Sequence, residues 1–312
     1  MEGFELDFWR MDGTFAGAIA NADINNCYLT MGRSPNDGTY FLDHLEDTDG
    51  SKSFVMAGKV GQTPTFEIAT GEAAMTDKED YFGTKNWVIT WGDGIYASPW
   101  NSKERELIYS PEKHFSGLPA FLEFGHEDSF FFNLSAAGKS GWVAWVAGKG
   151  IQDLFIHATT YQRGFTSLGT DGVDLVVTYG EDAQKEYYYQ KRTLLRADYT
   201  TDPNTLKASL KAVANVPEHA AATGWAVGCG YAAIGAAEEK NGVSLLVVRL
   251  SDGMIWQKFP FTPKAYGGIR PTAITCQEIF LYGGHKSHIQ RIALDSLGEG
   301  KLSPPQVSQW PF

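Results

Sequence analysis

The feature that most constrains this chain is an internal repeat. A unit of about 50 residues recurs, opening with small residues, crossing a polar turn, and entering a strongly apolar strand followed by a more polar one. The units start near Gly17, Gly71, Gly117, Gly164, Glu218 and Arg270, in steps of 54, 46, 47, 54 and 52 residues. Six units use up the 312 residues, with 59 left for the wrap-around. A unit of this size cannot bury its own apolar strand and must stack on its neighbours.

Inside the units the signal is that of strands. Trp87–Trp91, Trp142–Val146, Leu175–Tyr179 and Ile279–Tyr282 are rich in β-branched and aromatic residues and are bounded by Gly, Asp, Asn and Pro. Asp-Gly occurs six times, at Asp12-Gly13, Asp37-Gly38, Asp49-Gly50, Asp93-Gly94, Asp171-Gly172 and Asp252-Gly253, and Asn241-Gly242 adds a seventh turn of the same chemistry. Such pairs tolerate positive φ and predict tight two-residue hairpins. The exception is Thr205–Val213, where Leu206, Leu210 and Val213 at i, i+4 and i+7 predict a short helix outside the fourth unit.

This pattern predicts an all-β, six-bladed β-propeller, a single domain over residues 1–312. The small-residue strand of each blade faces the crowded central channel, and the apolar strand after it packs on the next blade. The ring is expected to close by pairing of the N- and C-terminal strands. Phe4–Met11 then joins the last blade, whose own strands are Glu278–Tyr282 and Ser287–Leu294, and exposed sheet edges disappear. The competing architecture is a two-domain β-sandwich.

Charge narrows the partners. With 26 Lys+Arg against 37 Asp+Glu the net charge is −11 and no basic face offsets it, so nucleic acid is not an expected partner. Apolar runs such as Val243–Val248 are far below the roughly 20 residues of a membrane-spanning helix, so no membrane partner is expected. Met1–Asp7 shows no basic segment followed by an apolar one. The chain therefore reads as soluble: cytoplasmic if this is the whole chain, secreted if a signal peptide has been removed. Cys27, Cys229 and Cys276, widely spaced and odd in number, are expected as reduced, mostly buried thiols.

The common catalytic signatures are missing: no GxSxG elbow, HExxH, phosphate loop or dinucleotide fingerprint is present. His285 and His288 would point to opposite faces of a strand, and His126-Glu127-Asp128 and Glu46–Gly50 read as solvated turns. No metal and no cofactor are expected. The sequon Asn133-Leu134-Ser135 sits in a predicted strand and reads as chance.

A more informative set stands at the small-residue starts. His114 leads into the third unit, Tyr161 and Arg163 into the fourth, His219 into the fifth, and Tyr266 and Arg270 into the sixth. The segment entering the innermost strand of a blade runs along one rim of the channel, so these six are the candidate catalytic residues. Trp225, Phe121, Trp87 and Trp91 are candidates for the apolar walls of a substrate pocket.

The segment Ser244–Ile255, a strand, an Asp-Gly turn and a second strand, resembles the blades of fungal fucose-lectin propellers. That resemblance implies an inter-blade sugar pocket built from Arg, Glu and aromatic residues and repeated around the ring. Here Arg249 has Tyr179 or Phe280 at comparable places, and no Arg–Glu–Trp set recurs. Unlike residues converging on one rim suit a single asymmetric pocket. In outline the chain is similar to the fungal propeller-type hetero-Diels–Alderases, a resemblance that implies a cofactor-independent, pericyclase-like enzyme of specialised metabolism. Its partner would be a small, largely apolar organic molecule held at the channel mouth, with Arg, Tyr or His bonding a carbonyl oxygen that gains charge. The alternatives are a carbohydrate-binding lectin with several equivalent pockets and a non-catalytic interaction scaffold with one surface patch.

Overall fold

In the computed structural model the strand runs of the sequence form seven antiparallel sheets among the described residues. The structure describes the backbone of the strands named below. It describes side chains chiefly within 86–110, 128–132, 141–155, 169–180, 192–216, 226–235, 244–258, 271–281 and 290–305.

A hairpin comes first: β1 (Phe4–Trp9) pairs with β2 (Phe15–Asn21). The first larger sheet contains β3 (Ile24–Cys27), β4 (Gly32–Arg33), β5 (Thr39–Asp47), β6 (Ser53–Lys59) and β7 (Glu67–Ala69). The second contains β8 (Asp80–Gly83), β9 (Trp87–Trp91), β10 (Ile95–Pro99) and β11 (Glu106–Tyr109). The third contains β12 (Pro119–His126), β13 (Ser129–Ala136), β14 (Lys139–Val146), β15 (Gly150–Asp153) and the short β16 (His157–Ala158). The fourth is β17 (Gly164–Thr170), β18 (Asp174–Gly180), β19 (Arg192–Asp198) and β20 (Lys211–Val216). The fifth is β21 (Ala221–Gly228), β22 (Tyr231–Glu238), β23 (Gly242–Arg249) and β24 (Met254–Lys258), with β28 (Lys301–Leu302) added on β24. The sixth is β25 (Arg270–Ile274), β26 (Glu278–Tyr282) and β27 (Ile289–Ala293).

By its contacts the chain divides into two compact units, Met1–Ala136 with Val143–Gln152, and Ala137–Trp142 with Asp153–Phe312. In the first unit the core is aromatic. Phe130 stacks on Phe132 at 5.3 Å, Tyr109 meets Phe132 edge-on at 5.6 Å, and Trp145 packs on Phe130 at 5.6 Å. Burial pushes the Tyr109 phenol above its ordinary pKa, because the phenolate would lose its hydration there.

In the second unit the fifth sheet is buried on both faces. Ala232, Ile234, Leu246, Val248 and Ile255 pack against Val176, Leu194 and Ala214 of the fourth sheet. Their strand neighbours Ala233, Leu245, Val247 and Trp256 pack against Ile274, Ile279 and Leu281 of the sixth. Alternate residues of a strand point to opposite faces, so a sheet sandwiched between two others must be apolar throughout. This explains the unbroken apolar run Leu245–Val248, and it departs from a β-sandwich, where each sheet keeps a face toward water.

Five of the strands that open a sheet carry a bulge near their start. The register against the second strand skips a residue between Ile24 and Asn26, Pro119 and Phe121, Phe165 and Ser167, Ala222 and Gly224, and Pro271 and Ala273. The unpaired residues are Asn25, Ala120, Thr166, Thr223 and Thr272. A bulge bends a strand and adds twist, so the repeat read from small residues is also a repeat of backbone geometry.

All six Asp-Gly pairs fall between consecutive, antiparallel-paired strands, and Asn241-Gly242 closes the turn into β23, of which Gly242 is the first residue. Where the turns are described they are wider than predicted. Residues 171–174 link Thr170 to Leu175, and residues 250–253 link Arg249 to Met254, with positive φ at Gly172 (86°) and Gly253 (73°). The Asp carboxylate organises each turn: Asp171 accepts from the Val173 and Asp174 amides at 2.9 and 2.8 Å, and Asp252 from Met254 at 3.1 Å. A tight two-residue turn with positive φ at both positions lies instead at Cys229-Gly230 (49° and 75°).

The predicted helix is shorter than its pattern. Helix α1 (Pro203–Ser209) starts on Asp202, whose carboxylate accepts the Thr205 amide at 2.7 Å, and ends at Leu210. Lys211–Val213 belong to β20, since Ala214 and Val216 are drawn into the core between the fourth and fifth sheets. The N-terminal strand pairs in register with β2 (Phe4↔Asn21 to Phe8↔Gly17). Among the described residues no helix is long and apolar enough to cross a membrane.

Candidate functional site

The opening strands of the last three sheets form a row. β17 is in contact with β21, and β21 with β25. A Cβ on Gly169 would lie 3.1 Å from Val227 Cγ2, and one on Gly228 would lie 2.5 Å from the Ile274 carbonyl oxygen. The far ends of the three strands thus lie close together.

Five of the six candidate catalytic residues precede or open these three strands in the chain. Arg270 opens β25, paired with Tyr282. Tyr161 and Arg163 immediately precede β17, His219 precedes β21, and Tyr266 precedes β25. These four, and His114 before β12, lie outside the described residues. Phe121 pairs with Asn133 just after a bulge, Trp225 with Ile234, and Trp91 with Ile95; these are backbone positions whose side chains lie outside the description.

Trp87 is described in full. Its indole N–H donates to Asp128 Oδ1 at 3.0 Å, beside the Asn86 amide at 2.8 Å, and its ring meets Trp145 edge-on at 5.1 Å. Asp128, singled out in the sequence within a solvated turn, therefore anchors the second sheet to the turn between β12 and β13.

At the opposite end of the row, beyond the strand ends, Cys229 and Cys276 are joined by a disulfide with Cα atoms 5.2 Å apart. This corrects the expectation of reduced, buried thiols: both cysteines are exposed, each in the turn after the opening strand of its sheet. Beside it an open cleft of about 450 Å³ is lined by Cys276, Gln277, Glu278, Arg291, Leu294 and Asp295. Glu278 accepts from Arg291 Nε at 3.1 Å, and the Arg291 guanidinium lies 5.6 Å from the centre of the Phe280 ring. This end is not legible locally, because Glu278 and its partner Arg291 are 13 positions apart and the two cysteines 47. The 47-residue spacing of Cys229 and Cys276, one repeat length, was the usable signal.

Arg249 lies at the end of β23, its Nε 2.9 Å from Asp252 Oδ1 and its guanidinium 5.5 Å from the centre of the Trp256 ring. Hydrogen bonding to Asp252 raises the Arg249 pKa, and the same bond, with the Met254 amide, lowers that of Asp252. The pair is spent on ordering its own turn. Among the described residues no group of three or more His, Cys, Asp or Glu side chains is placed to hold a metal ion.

No protein family matches the chain by sequence profile, and no curated protein matches it. Among solved structures it is similar to a prolyl endopeptidase, with a TM-score of 0.53 at 13% identity over 90% of this chain and 42% of that one. It is also similar to the β-propeller domain of the Trilobed protease from Pyrococcus furiosus, which has an open velcro topology (TM-score 0.48, 9% identity, 91% and 85% covered). A third likeness is to putative TolB from Agrobacterium tumefaciens (TM-score 0.38, 13% identity, 69% and 81% covered). The chain spans less than half the length of the prolyl endopeptidase it matches. At these identities the likeness concerns fold alone: the chain is a mostly-β protein of the propeller class.

Proposed function

We propose that this propeller-class chain binds one small, largely apolar organic molecule at the end where β17, β21 and β25 begin, and catalyses a cofactor-independent, pericyclase-type cyclisation there. The observation that supports this reading is the contact of the opening strands of three successive sheets, β17 with β21 and β21 with β25. On this reading the residues that precede or open these strands in the chain, Tyr161 and Arg163, His219, and Tyr266 and Arg270, form the site. The three starts carry unlike residues, which suits one asymmetric pocket better than a repeated sugar site. The finer architecture, six blades with the ring closed through Phe4–Trp9, is part of the same proposal.

A pericyclic step redistributes electrons around a ring and transfers no atom to the protein. Its demands are a folded substrate conformation, which an apolar wall supplies, and donors at an oxygen that gains charge. A well-placed Arg or Tyr donor contributes about 3 kcal/mol there.

The test is native mass spectrometry of the chain with a panel of polyketide- and terpenoid-type molecules, followed by chromatography of the reaction mixtures. The expected result is one ligand per chain, bound at least tenfold more weakly by R163A/R270A, and a product of unchanged mass with a new retention time. Several equivalent sugars per chain on a glycan array would establish the lectin alternative instead. A folded chain that binds no member of the panel overturns the proposal.

A further inference from the structure

We infer that the Cys229–Cys276 disulfide is a thiol-responsive latch on the seam between the fifth and sixth sheets. The two cysteines occupy the same place in successive sheets, the turn between first and second strand, 47 residues apart. The bond therefore ties neighbouring repeats at equivalent points. Both residues are exposed, so a dithiol reaches the bond without prior unfolding.

The turn chemistry shows that Cys229 is held there against local preference. It is the one non-glycine residue with positive φ (49°) among the described residues, in a turn position that favours Asn, Asp or Gly. A cysteine has no intrinsic fitness for that backbone. What it gains is the bond to Cys276.

The sixth sheet is the element such a latch would govern. It has three strands and is hydrogen-bonded to no other sheet among the described residues. It is held to the fifth by the packing of Ile274, Ile279 and Leu281, by this bond, and through the segment after β27, where Trp256 Nε1 donates to the Gly298 carbonyl at 2.9 Å and β28 pairs with β24. The fifth sheet has five strands and is packed on both faces. Loosening the seam consequently moves the sixth sheet, and with it Gln277, Glu278, Arg291 and Asp295 of the cleft that Cys276 borders.

The chemistry balances with a dithiol as reductant. Its thiolate attacks one cysteine sulfur and breaks the S–S bond, giving a mixed disulfide and a cysteine thiolate that takes up a proton. The reagent's second thiol displaces the first sulfur, so the protein ends with two thiols and the reagent leaves as its own disulfide. The apolar packing remains, and the seam opens without global unfolding. This inference does not rest on the proposed ligand site, which lies at the other end of the strand row.

The test uses the full chain prepared without reductant in oxidised glutathione. Thiol titration in denaturant is expected to find one free thiol, Cys27, and three after dithiothreitol. Hydrogen exchange is then followed by mass spectrometry. Dithiothreitol is expected to accelerate exchange at least tenfold across residues 270–293, to leave the fourth sheet protected, and to change nothing in C229S/C276S. Three free thiols in the oxidised preparation, unchanged exchange over 270–293 in the wild type, or loss of protection throughout the fourth and fifth sheets would each overturn the latch. The wild-type measurement decides the question even if the double variant does not fold.

Discussion

Gly228 and Ile274 meet backbone to backbone: a Cβ added to Gly228 would stand 2.5 Å from the Ile274 carbonyl oxygen. The fifth and sixth sheets approach this closely only because residue 228 has no side chain. Gly228→Ala is therefore expected to destabilise the protein by about 2–3 kcal/mol, since the obstructing atom belongs to backbone and cannot swing aside. Urea unfolding checks it; a loss below 0.5 kcal/mol on the order of experimental scatter would mean that the strands are further apart.

Two glycines with the same backbone but different surroundings separate conformational from steric cost. Gly230 and Gly253 have φ of 75° and 73°, but a Cβ at 230 meets nothing within 4 Å, whereas one at 253 would fall 2.1 Å from the Val213 carbonyl oxygen. Gly230→Ala is expected to cost about 1 kcal/mol, the left-handed penalty alone. Gly253→Ala adds the clash with the fourth sheet and is expected to cost roughly 3 kcal/mol or more. Equal losses in thermal or urea unfolding would contradict the packing of Gly253 on β20.

The disulfide closes a loop defined by a 47-residue separation. Chain-entropy arguments give such a cross-link about 4 kcal/mol, which in a unit of this size is a fall in Tm of roughly 10 °C for Cys276→Ser. Dithiothreitol should lower the wild-type Tm by a similar amount and leave the variant's unchanged. A variant that loses a further 10 °C or so with dithiothreitol would show that the reagent acts elsewhere.

The turn at Asp252 carries a pH dependence of known sign. Hydrogen bonding from Arg249, then from the Met254 amide, holds the Asp252 carboxyl below its usual range. A depressed pKa means that the contribution is present above the unfolded value of about 3.9 and is lost as pH falls through the folded one. An NMR titration should place the Asp252 midpoint below that of a free aspartate, and Arg249→Met should raise it. The pair is exposed, so the turn should loosen locally while the rest of the fifth sheet stays folded.

Asp128→Ala removes the acceptor shared by Asn86 Nδ2 and Trp87 Nε1. A loss of about 1–2 kcal/mol is expected, with a change in tryptophan emission as Trp87 shifts against Trp145. In a double-mutant cycle with Trp87→Phe the two effects should be less than additive.

Much of the sheet plan was legible before any coordinates. Gly164 and Arg270, read as starts from their small or polar neighbours, begin β17 and β25, and every Asp-Gly pair separates two paired strands. The helix was legible in place but not in extent, because Ala214 and Val216 are claimed by tertiary packing that a helical spacing of Leu206, Leu210 and Val213 does not reveal. Turn width was not legible either. Asp171 and Asp252 bond amides two and three residues on and so build four-residue loops, whereas the tight turn fell to Cys229-Gly230. Of the candidate site, the chain order of Arg163, His219 and Arg270 was visible, but the contact of β17 with β21 and of β21 with β25 was not.

The sequence by itself determined the local grammar of this protein: strands of alternating or unbroken apolar residues, turns where Asp-Gly permits them, and a period near 50 residues. These depend on interactions within a few residues, and they survive in any arrangement of the sheets. Only the tertiary structure decided that the fifth sheet is buried on both faces, that Gly228 touches Ile274, and that Cys229 bonds Cys276. Each of these joins residues about one repeat apart, and their meeting is set by how whole sheets stack, a choice driven by burying apolar faces that no single segment encodes.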